Sequence, residues 1–537
     1  MTMSATDRPS GLGDSTTEEP TLPGRSGQNL ADAFRFWAHH HRSSRNAVRF
    51  DDVDFTWQDL DVLTDSLAAG LVAAGVGKGD PVAVLLDNRP EFIQVVLAAF
   101  KIGAIVVPLN VRATAGELTG PLAASGARIV VTEAALRPRL DLALTCAHGL
   151  RCFSVDDGQL GDERFEDLAR PGERPPRVEI SPSDTALLCF TSGTTQEAKG
   201  VLLSHGGILF GGEARALAAG ITWRDTLLLA QPLAFTGGVT NYLREGMVTG
   251  ATTIIAGSLD PDYLMTRIAT ERVSIWPCLP VVYEAMMRAP AFQEADLSSL
   301  RVAMVAGSMV SRHLLNAFAQ KGVRLTQAYG QTETSGAVIA LNPEDALDRL
   351  GTAGKPIPHV EVRIVDASGR TLSAGTEGEI QIRCPYLMSG YLGRPDLTAE
   401  VIVDGWLRTG DTGVIDDDGH LTVVGRLKDM LISGGLNVYI ADVEDVLSAF
   451  PGLADFCVIP VPDDRWGEVG MIVVDDLTGV DTEHLRAFCL EHLADYKRPR
   501  YIASAREPLP RTLGGKILKR VLRERLPAAP ATAVRLK

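Results

Sequence analysis

Short apolar runs that alternate with stretches of helical period constrain this chain more than any other feature. Such runs recur at Pro81 to Leu86, Ile102 to Leu109, Ala186 to Phe190, Thr252 to Ala256 and Val302 to Val305. A run this short and this apolar suits a strand buried on both faces, and helices must then cover those faces. The pattern predicts an α/β fold: a large N-terminal body of layered sheets and helices, its sheets largely parallel. A compositional break follows Asp416-Asp417-Asp418-Gly419. Beyond Gly425-Arg426-Leu427-Lys428-Asp429 the chain reads as a separate, small α+β lid domain. Its short elements are expected near Val443 to Phe450, Cys457 to Pro460 and Glu483 to Leu493. The expected plan is a flexible tail over 1–28, a body over 29–425, a hinge over 426–429, a mobile lid over 430–527 and a second tail over 528–537.

At 537 residues the chain has material for about three to four folding units, at roughly 150 residues each. It carries 52 Lys and Arg against 67 Asp and Glu, a net charge of −15. That balance opposes nonspecific attraction to nucleic acid or to an anionic membrane, so any phosphate must be held locally. The seven cysteines form no C-x-x-C pair, which suits reduced thiols in a cytoplasmic setting. The most apolar stretch, Phe92 to Pro108, contains Gln94, Lys101 and Gly103; it reads as a helix and a strand rather than a membrane span. The N-terminus shows no basic segment followed by an apolar one, so no secretion signal is expected.

Directly after the run ending at Phe190 comes Thr191-Ser192-Gly193-Thr194-Thr195-Gln196-Glu197-Ala198-Lys199-Gly200. Hydroxyls, backbone N–H groups and one lysine on a loop can cradle a polyphosphate, although the same residues also make ordinary polar turns. The segment lacks the Gly-Lys-Ser/Thr ending of a Walker loop, which disfavours a P-loop NTPase. Four further segments follow in order: Tyr329-Gly330-Gln331-Thr332-Glu333-Thr334, Gly405-Trp406-Leu407-Arg408-Thr409-Gly410-Asp411, Gly425 to Asp429 with Gly434-Gly435, and Pro510-Arg511-Thr512-Leu513-Gly514-Gly515-Lys516.

Together the five segments resemble the adenylate-forming (ANL) superfamily of acyl-CoA synthetases, luciferases and peptide-synthetase adenylation domains. The resemblance implies that Thr191, Ser192, Gly193, Thr194, Thr195 and Lys199 lie over the β- and γ-phosphates of ATP. It makes Glu333 the Mg2+ carboxylate, a hard oxygen ligand for a hard cation, and Thr332 a donor to the α-phosphate. Asp411 would hold the ribose hydroxyls with Arg426 beside it, and Gly307, Ser308 and Tyr329 would enclose adenine. Lys516 would bridge the acyl carboxylate and the α-phosphate, and Lys428 would be the hinge that exchanges its face for that of Gly434 and Gly435. Trp466, in Asp463-Asp464-Arg465-Trp466-Gly467-Glu468, resembles a region that contacts the CoA nucleotide in some CoA ligases; an aromatic packed under a turn is the other reading. In isolation Asp411 would read as a turn former, Glu333 as a solvated charge and Lys516 as part of a basic helix terminus.

The chain departs from the family pattern at Gln196 and Ala198, where Gly and Pro are usual, and at Leu436 and Ile440, where Glu and Pro are usual. Gln231-Pro232-Leu233-Ala234-Phe235-Thr236-Gly237-Gly238 matches the family's pocket motif, with Phe235 in place of a common histidine. Phe235, Thr236, Gly237 and Gly238 are therefore the expected substrate pocket, with Trp276-Pro277-Cys278-Leu279 as further apolar lining. Arg244 is the nearest basic residue in sequence; facing inward it would anchor a dicarboxylate, but it is expected to be exposed. Such a lining favours an aromatic or medium aliphatic monocarboxylate, because a second carboxylate would lose its hydration uncompensated.

The expected activity is that of an acid–thiol ligase: a carboxylic acid and ATP, with Mg2+, give acyl-AMP and pyrophosphate, and the acyl group passes to coenzyme A. One alternative keeps the adenylation and passes the group to a carrier-protein phosphopantetheine or another nucleophile. Another is a noncatalytic nucleotide-binding relative, against which Glu333, Asp411, Arg426 and Lys516 together argue. Covalent hydrolase chemistry is disfavoured because there is no G-x-S-x-G elbow and no cysteine nucleophile signature. His39-His40-His41-Arg42 is no metal tract, since adjacent helical positions do not converge on one ion.

Overall fold

Each apolar run becomes or contains a strand: Pro81–Leu85, Ile105–Pro108, Thr185–Thr191, Thr252–Ile255 and Val302–Ala306. The computed structural model describes residues 28–39, 43–146, 149–156, 162–191, 199–306, 310, 312–426, 430–433, 436–463, 465–511 and 517–536. They form a mixed α/β protein with a large N-terminal body and a smaller C-terminal α+β domain.

Two sheets carry the body. The first has eight strands in the spatial order Gly390–Tyr391, Lys199–Ser204, Thr185–Thr191, Ile105–Pro108, Pro81–Leu85, Ile129–Thr132, Arg151–Ser154 and Glu163–Arg164. Pairing is parallel from Thr185–Thr191 to the Glu163–Arg164 edge and antiparallel toward Gly390–Tyr391. The second sheet has nine strands. Its centre, Asn46–Phe50, Thr252–Ile255, Thr226–Leu229, Ile275–Cys278, Val302–Ala306 and Leu325–Gln331, is parallel, and antiparallel strands Val53–Thr56 and Gly336–Ala340 flank it. Parallel strands need cover on both faces. Helices Trp57–Ala73, Pro90–Lys101 and His205–Ala219 supply it, packing Leu60, Leu67, Phe92, Val96, Phe100, Ile208 and Leu209 into one core.

Local sequence sets these helix starts. Thr56 Oγ1 accepts from the Asp59 N–H at 3.1 Å while the Asp59 carboxylate accepts from the Thr56 N–H at 2.9 Å, so two otherwise unpaired donors are satisfied. Pro90 opens its helix at a position where a missing N–H costs nothing. The most apolar stretch, Phe92 to Pro108, divides as expected into that helix and the strand Ile105–Pro108. No helix among the described residues is long and apolar enough to cross a membrane.

A five-stranded sheet follows, ending with Leu421–Arg426, and the C-terminal sheet opens at Met430–Ser433. In that sheet, alternate residues of Phe456–Asp463 and Gly467–Val474 serve two cores: Val458 and Ile472 face one, and Cys457, Ile459 and Met471 face the other. One expectation needs correction. Val534–Arg535 pairs antiparallel with Tyr501–Ser504, and Leu536 is buried, so the stretch read as a second tail over 528–537 supplies an edge strand. A two-residue strand leaves no period to read.

Candidate active site

Two strand pairs build the first cluster. Tyr329 and Gln331 are two apart on Leu325–Gln331 and so project from one face. Asp411, on Trp406–Ile415, lies directly opposite Arg426 on Leu421–Arg426. The four side chains meet. Asp411 Oδ1 lies 3.2 Å from Arg426 Nε, and Oδ2 accepts from the Tyr329 hydroxyl at 2.7 Å and from Gln331 Nε2 at 2.8 Å. Gln331 Nε2 also donates to the Thr409 carbonyl at 3.0 Å. Asp411 keeps only 5% of its surface exposed, and a carboxylate so buried needs such donors. Burial and the Asp411 charge push the Tyr329 phenol well above its ordinary range, which keeps it a donor.

One turn further along sits Glu333. Thr332–Thr334 is a 3-10 turn, pinned by the Gln331 N–H donating to Thr334 Oγ1 at 2.8 Å and by Thr334 Oγ1 donating to the Gly336 carbonyl at 2.7 Å. Thr332 is half-buried within it. Ser335 then takes a left-handed conformation, φ 54°, which costs a non-glycine residue of order 1 kcal/mol. Its neighbours enforce it: Ser335 Oγ donates to the Tyr386 carbonyl at 2.8 Å, and Arg244 donates to the Ser335 carbonyl at 3.0 Å.

Arg244 is thus a correction to the expected exposed side chain. It is 3% exposed on a π-helical turn, Tyr242–Met247, and also donates to the carbonyls of Gly211 and Ala337, each at 2.9 Å. Burial lowers its pKa to about 10, which leaves it charged at neutral pH. A Cβ on Gly336 would collide with its guanidinium, so this position needs glycine.

The Glu333 carboxylate, half-buried, accepts from the Tyr391 hydroxyl at 2.9 Å on Oε1. Among the described residues its other oxygen takes no hydrogen bond. One free, hard oxygen is the donor type a divalent cation takes. Lys199 lies with its ammonium 5.0 Å from the Tyr391 ring centroid, and Thr191 sits opposite Lys199 in the adjoining strand.

The pocket motif lies nearby. Phe235 precedes helix Thr236–Asn241; Phe235, Thr236 and Gly237 are half-buried and Gly238 is buried. A Cβ on Gly238 would strike the Pro232 carbonyl. Asn88 clamps the approach, donating to the Gln231 carbonyl at 3.0 Å and accepting from the Leu233 N–H at 2.7 Å. Trp276 does not join this pocket: it is fully buried against Tyr283, ring centroids 4.2 Å apart, in a core with Met286 and Phe318. In a strand covered on both faces a tryptophan fills core volume as readily as it lines a pocket.

Trp466 is half-buried in the second C-terminal core, with the Arg465 and Arg500 guanidinium groups each 5.3 Å from its ring. Ser192, Gly193, Thr194, Thr195, Gly307, Ser308, Lys428, Gly434, Gly435 and Lys516 lie outside the described residues. On either side of the Lys516 segment, Arg511 and Ile517 form an antiparallel bridge. Sequence reasoning assigned no role to Gln331, Tyr391 or Asn88 and placed Arg244 at the surface; only Gln331, two residues from Tyr329 in a motif, offered a signal. Burial raises Cys152, Cys189, Cys278 and Cys457 to about 12, which rules out ready thiolate nucleophiles at these positions.

Tyr329, Gln331, Asp411 and Arg426 thus meet in one cluster, and Glu333, on the same segment, meets Tyr391 on the same α/β body. The AMP-binding enzyme family matches residues 34–392, and the AMP-binding enzyme C-terminal domain matches residues 442–516. The chain is 35% identical to a feruloyl-CoA synthase of an Amycolatopsis species, over 89% of this chain and 95% of that protein. It is also 35% identical to the long-chain-fatty-acid–CoA ligase FadD13 of Mycobacterium tuberculosis, over 89% and 94% respectively. A solved structure of the anthranilate CoA ligase AuaEII with anthranoyl-AMP resembles it with a TM-score of 0.84 at 26% identity, covering 93% of this chain and 97% of that one. The chain belongs to the AMP-binding enzyme family and is an AMP-forming acyl-CoA synthetase.

Proposed function

We propose that this enzyme activates an aromatic or medium-length aliphatic monocarboxylic acid. A carboxylate oxygen attacks the α-phosphorus of ATP, the bond to the β-phosphate breaks, and pyrophosphate leaves. The coenzyme A thiolate then attacks the activated carbonyl and AMP departs. Turning a poor leaving group into AMP is the purpose of the first step.

In this reading Asp411 Oδ1, which carries only the Arg426 contact among the described residues, receives a ribose hydroxyl, while Tyr329 and Gln331 hold the carboxylate still. The loop from Thr191 to Lys199 follows the β- and γ-phosphates, and Thr332 donates to the α-phosphate. Glu333 would hold Mg2+, which when bound neutralises charge on the phosphates. Gly307 and Ser308 border adenine, Lys516 steadies the α-phosphate and the attacking carboxylate, and Trp466 contacts the CoA nucleotide. The negative chain charge and the buried, free thiols suit the cytoplasm.

One observation carries the nucleotide reading: a single pinned segment, Tyr329 to Thr334, holds the Asp411 carboxylate through Tyr329 and Gln331 and itself presents the Glu333 carboxylate. Arg244 spends its terminal nitrogens on three backbone carbonyls, while its Nε finds no partner among the described residues.

A mass-spectrometric screen of carboxylic acids with MgATP, with and without coenzyme A, tests the proposal. Benzoate-like or medium-chain acids are expected to give acyl-CoA, with kcat/KM above that for a malonate-like acid. A preference for the dicarboxylate, lost in Arg244→Ala, would overturn the acid class. Acyl-AMP that accumulates and is not consumed by coenzyme A would favour a carrier protein or another nucleophile as acceptor.

A further inference from the structure

Tyr391 stands between the two charged groups that face the phosphates. Its hydroxyl donates to Glu333 Oε1 at 2.9 Å, and the Lys199 ammonium lies 5.0 Å from its ring centroid, within cation–π reach. The backbone around it is fixed on both sides. Tyr391 pairs with Val201, the Leu392 N–H donates to the Gly200 carbonyl at 2.8 Å, and the Tyr391 N–H donates to Thr398 Oγ1 at 2.9 Å. Three positions earlier, the Met388 N–H donates to the Glu333 carbonyl at 2.8 Å. One short segment therefore ties the end of the phosphate hairpin to the Glu333 turn. Gly390 makes this possible with φ 148°, where a side chain would press on Thr398. Tyr391 is 8% exposed, so its hydroxyl has little solvent to turn to in place of Glu333.

We infer that Tyr391 is a positioning residue: its hydroxyl holds one oxygen of Glu333 so that the other meets the divalent cation that arrives with ATP, while its ring keeps Lys199 on the same side. The inference rests on the reading of Glu333 as the metal carboxylate. A carboxylate already pinned through one oxygen has less freedom to lose when it binds a cation. Removing the hydroxyl should therefore weaken the contribution of the metal and leave the affinity for metal-free ATP alone.

Calorimetric titration of the full-length protein with ATP, in Mg2+ and in EDTA, gives the factor by which the cation strengthens ATP binding. Tyr391→Phe keeps the ring over Lys199 and removes only the hydroxyl. The Mg2+ factor is expected to fall roughly 10-fold in Tyr391→Phe, the usual scale for losing a partner of a metal ligand, with binding in EDTA unchanged. Glu333→Gln should remove most of the factor by itself, and adding Tyr391→Phe to it should change nothing further. An intact factor in Tyr391→Phe beside a reduced one in Glu333→Gln overturns the inference and leaves the role of Glu333 standing. An intact factor in Glu333→Gln overturns that role and the inference with it. A lower melting temperature in Tyr391→Phe with the factor intact would mark the hydroxyl as structural only, which also overturns the inference.

Discussion

Asp411 spends two oxygens on three donors and is the most buried of the four side chains in its cluster. Asp411→Asn removes the charge that Arg426 faces and replaces one acceptor oxygen by a donor, which then meets the Tyr329 or Gln331 hydrogens. A loss of about 2–3 kcal/mol in transition-state binding, or roughly 30- to 160-fold in kcat/KM for ATP, is expected from steady-state kinetics. A second residue tests stability rather than chemistry. His205 is fully buried at a helix start, with neither ring nitrogen bonded among the described residues, and burial lowers its pKa to about 4. In the unfolded chain a histidine takes up its proton near 6.5. Because the folded pKa is depressed, its stabilising contribution is complete above about pH 6.5 and is lost as pH falls toward 4, up to about 3 kcal/mol. Melting temperatures of His205→Leu should therefore fall less than those of the unsubstituted protein between pH 6.5 and 4; parallel curves would show that other groups set the slope.

At the scale of elements, the site depends on two strands that approach too closely for a side chain. Gly330 sits at the register shift between Leu325–Gln331 and Gly336–Ala340, where a Cβ would collide with the Gly336 carbonyl. Gly330→Ala should part these strands, cost about 1–3 kcal/mol in denaturant unfolding and weaken ATP binding by moving the Glu333 turn. Gly116→Ala, in helix Ala115–Ser125 where a Cβ meets nothing, should instead be neutral or stabilising by up to about 1 kcal/mol. Tyr329, Glu333, Asp411 and Arg426 were legible in the sequence because each lies in a short motif whose order carries information. Tyr391, Arg244 and Asn88 were not, because each finds its partner 58, 91 or 145 positions away. No local pattern encodes a pairing made by sheet order. Arg244 shows the same limit from the other side: a lone arginine reads as surface, and only the converging carbonyls of three elements account for a buried one.

For the whole molecule, the alternation of apolar runs with helical periods sufficed for the α/β body, since parallel strands leave few other ways to bury both faces. The final edge strand escaped because it is short and its partner is Tyr501–Ser504, a strand itself formed only within the sheet. If the small domain must turn between the two half-reactions, the backbone change has to be absorbed at a few residues, and Lys428 is the proposed one. Lys428→Pro fixes φ there, and acid-dependent pyrophosphate exchange is expected to survive while thioester formation falls; unchanged thioester synthesis would place the hinge elsewhere. The most direct measurement is the exchange of labelled pyrophosphate into ATP, with the acid present and coenzyme A absent, in the unsubstituted enzyme and in Lys516→Ala. Exchange should require the acid and should drop on the order of 100-fold in Lys516→Ala, the scale of one lost charged donor. Both proteins should still convert supplied acyl-adenylate and coenzyme A to thioester. Acyl-CoA formation without acid-dependent exchange, accompanied by ADP and phosphate in place of AMP and pyrophosphate, would contradict the adenylate route.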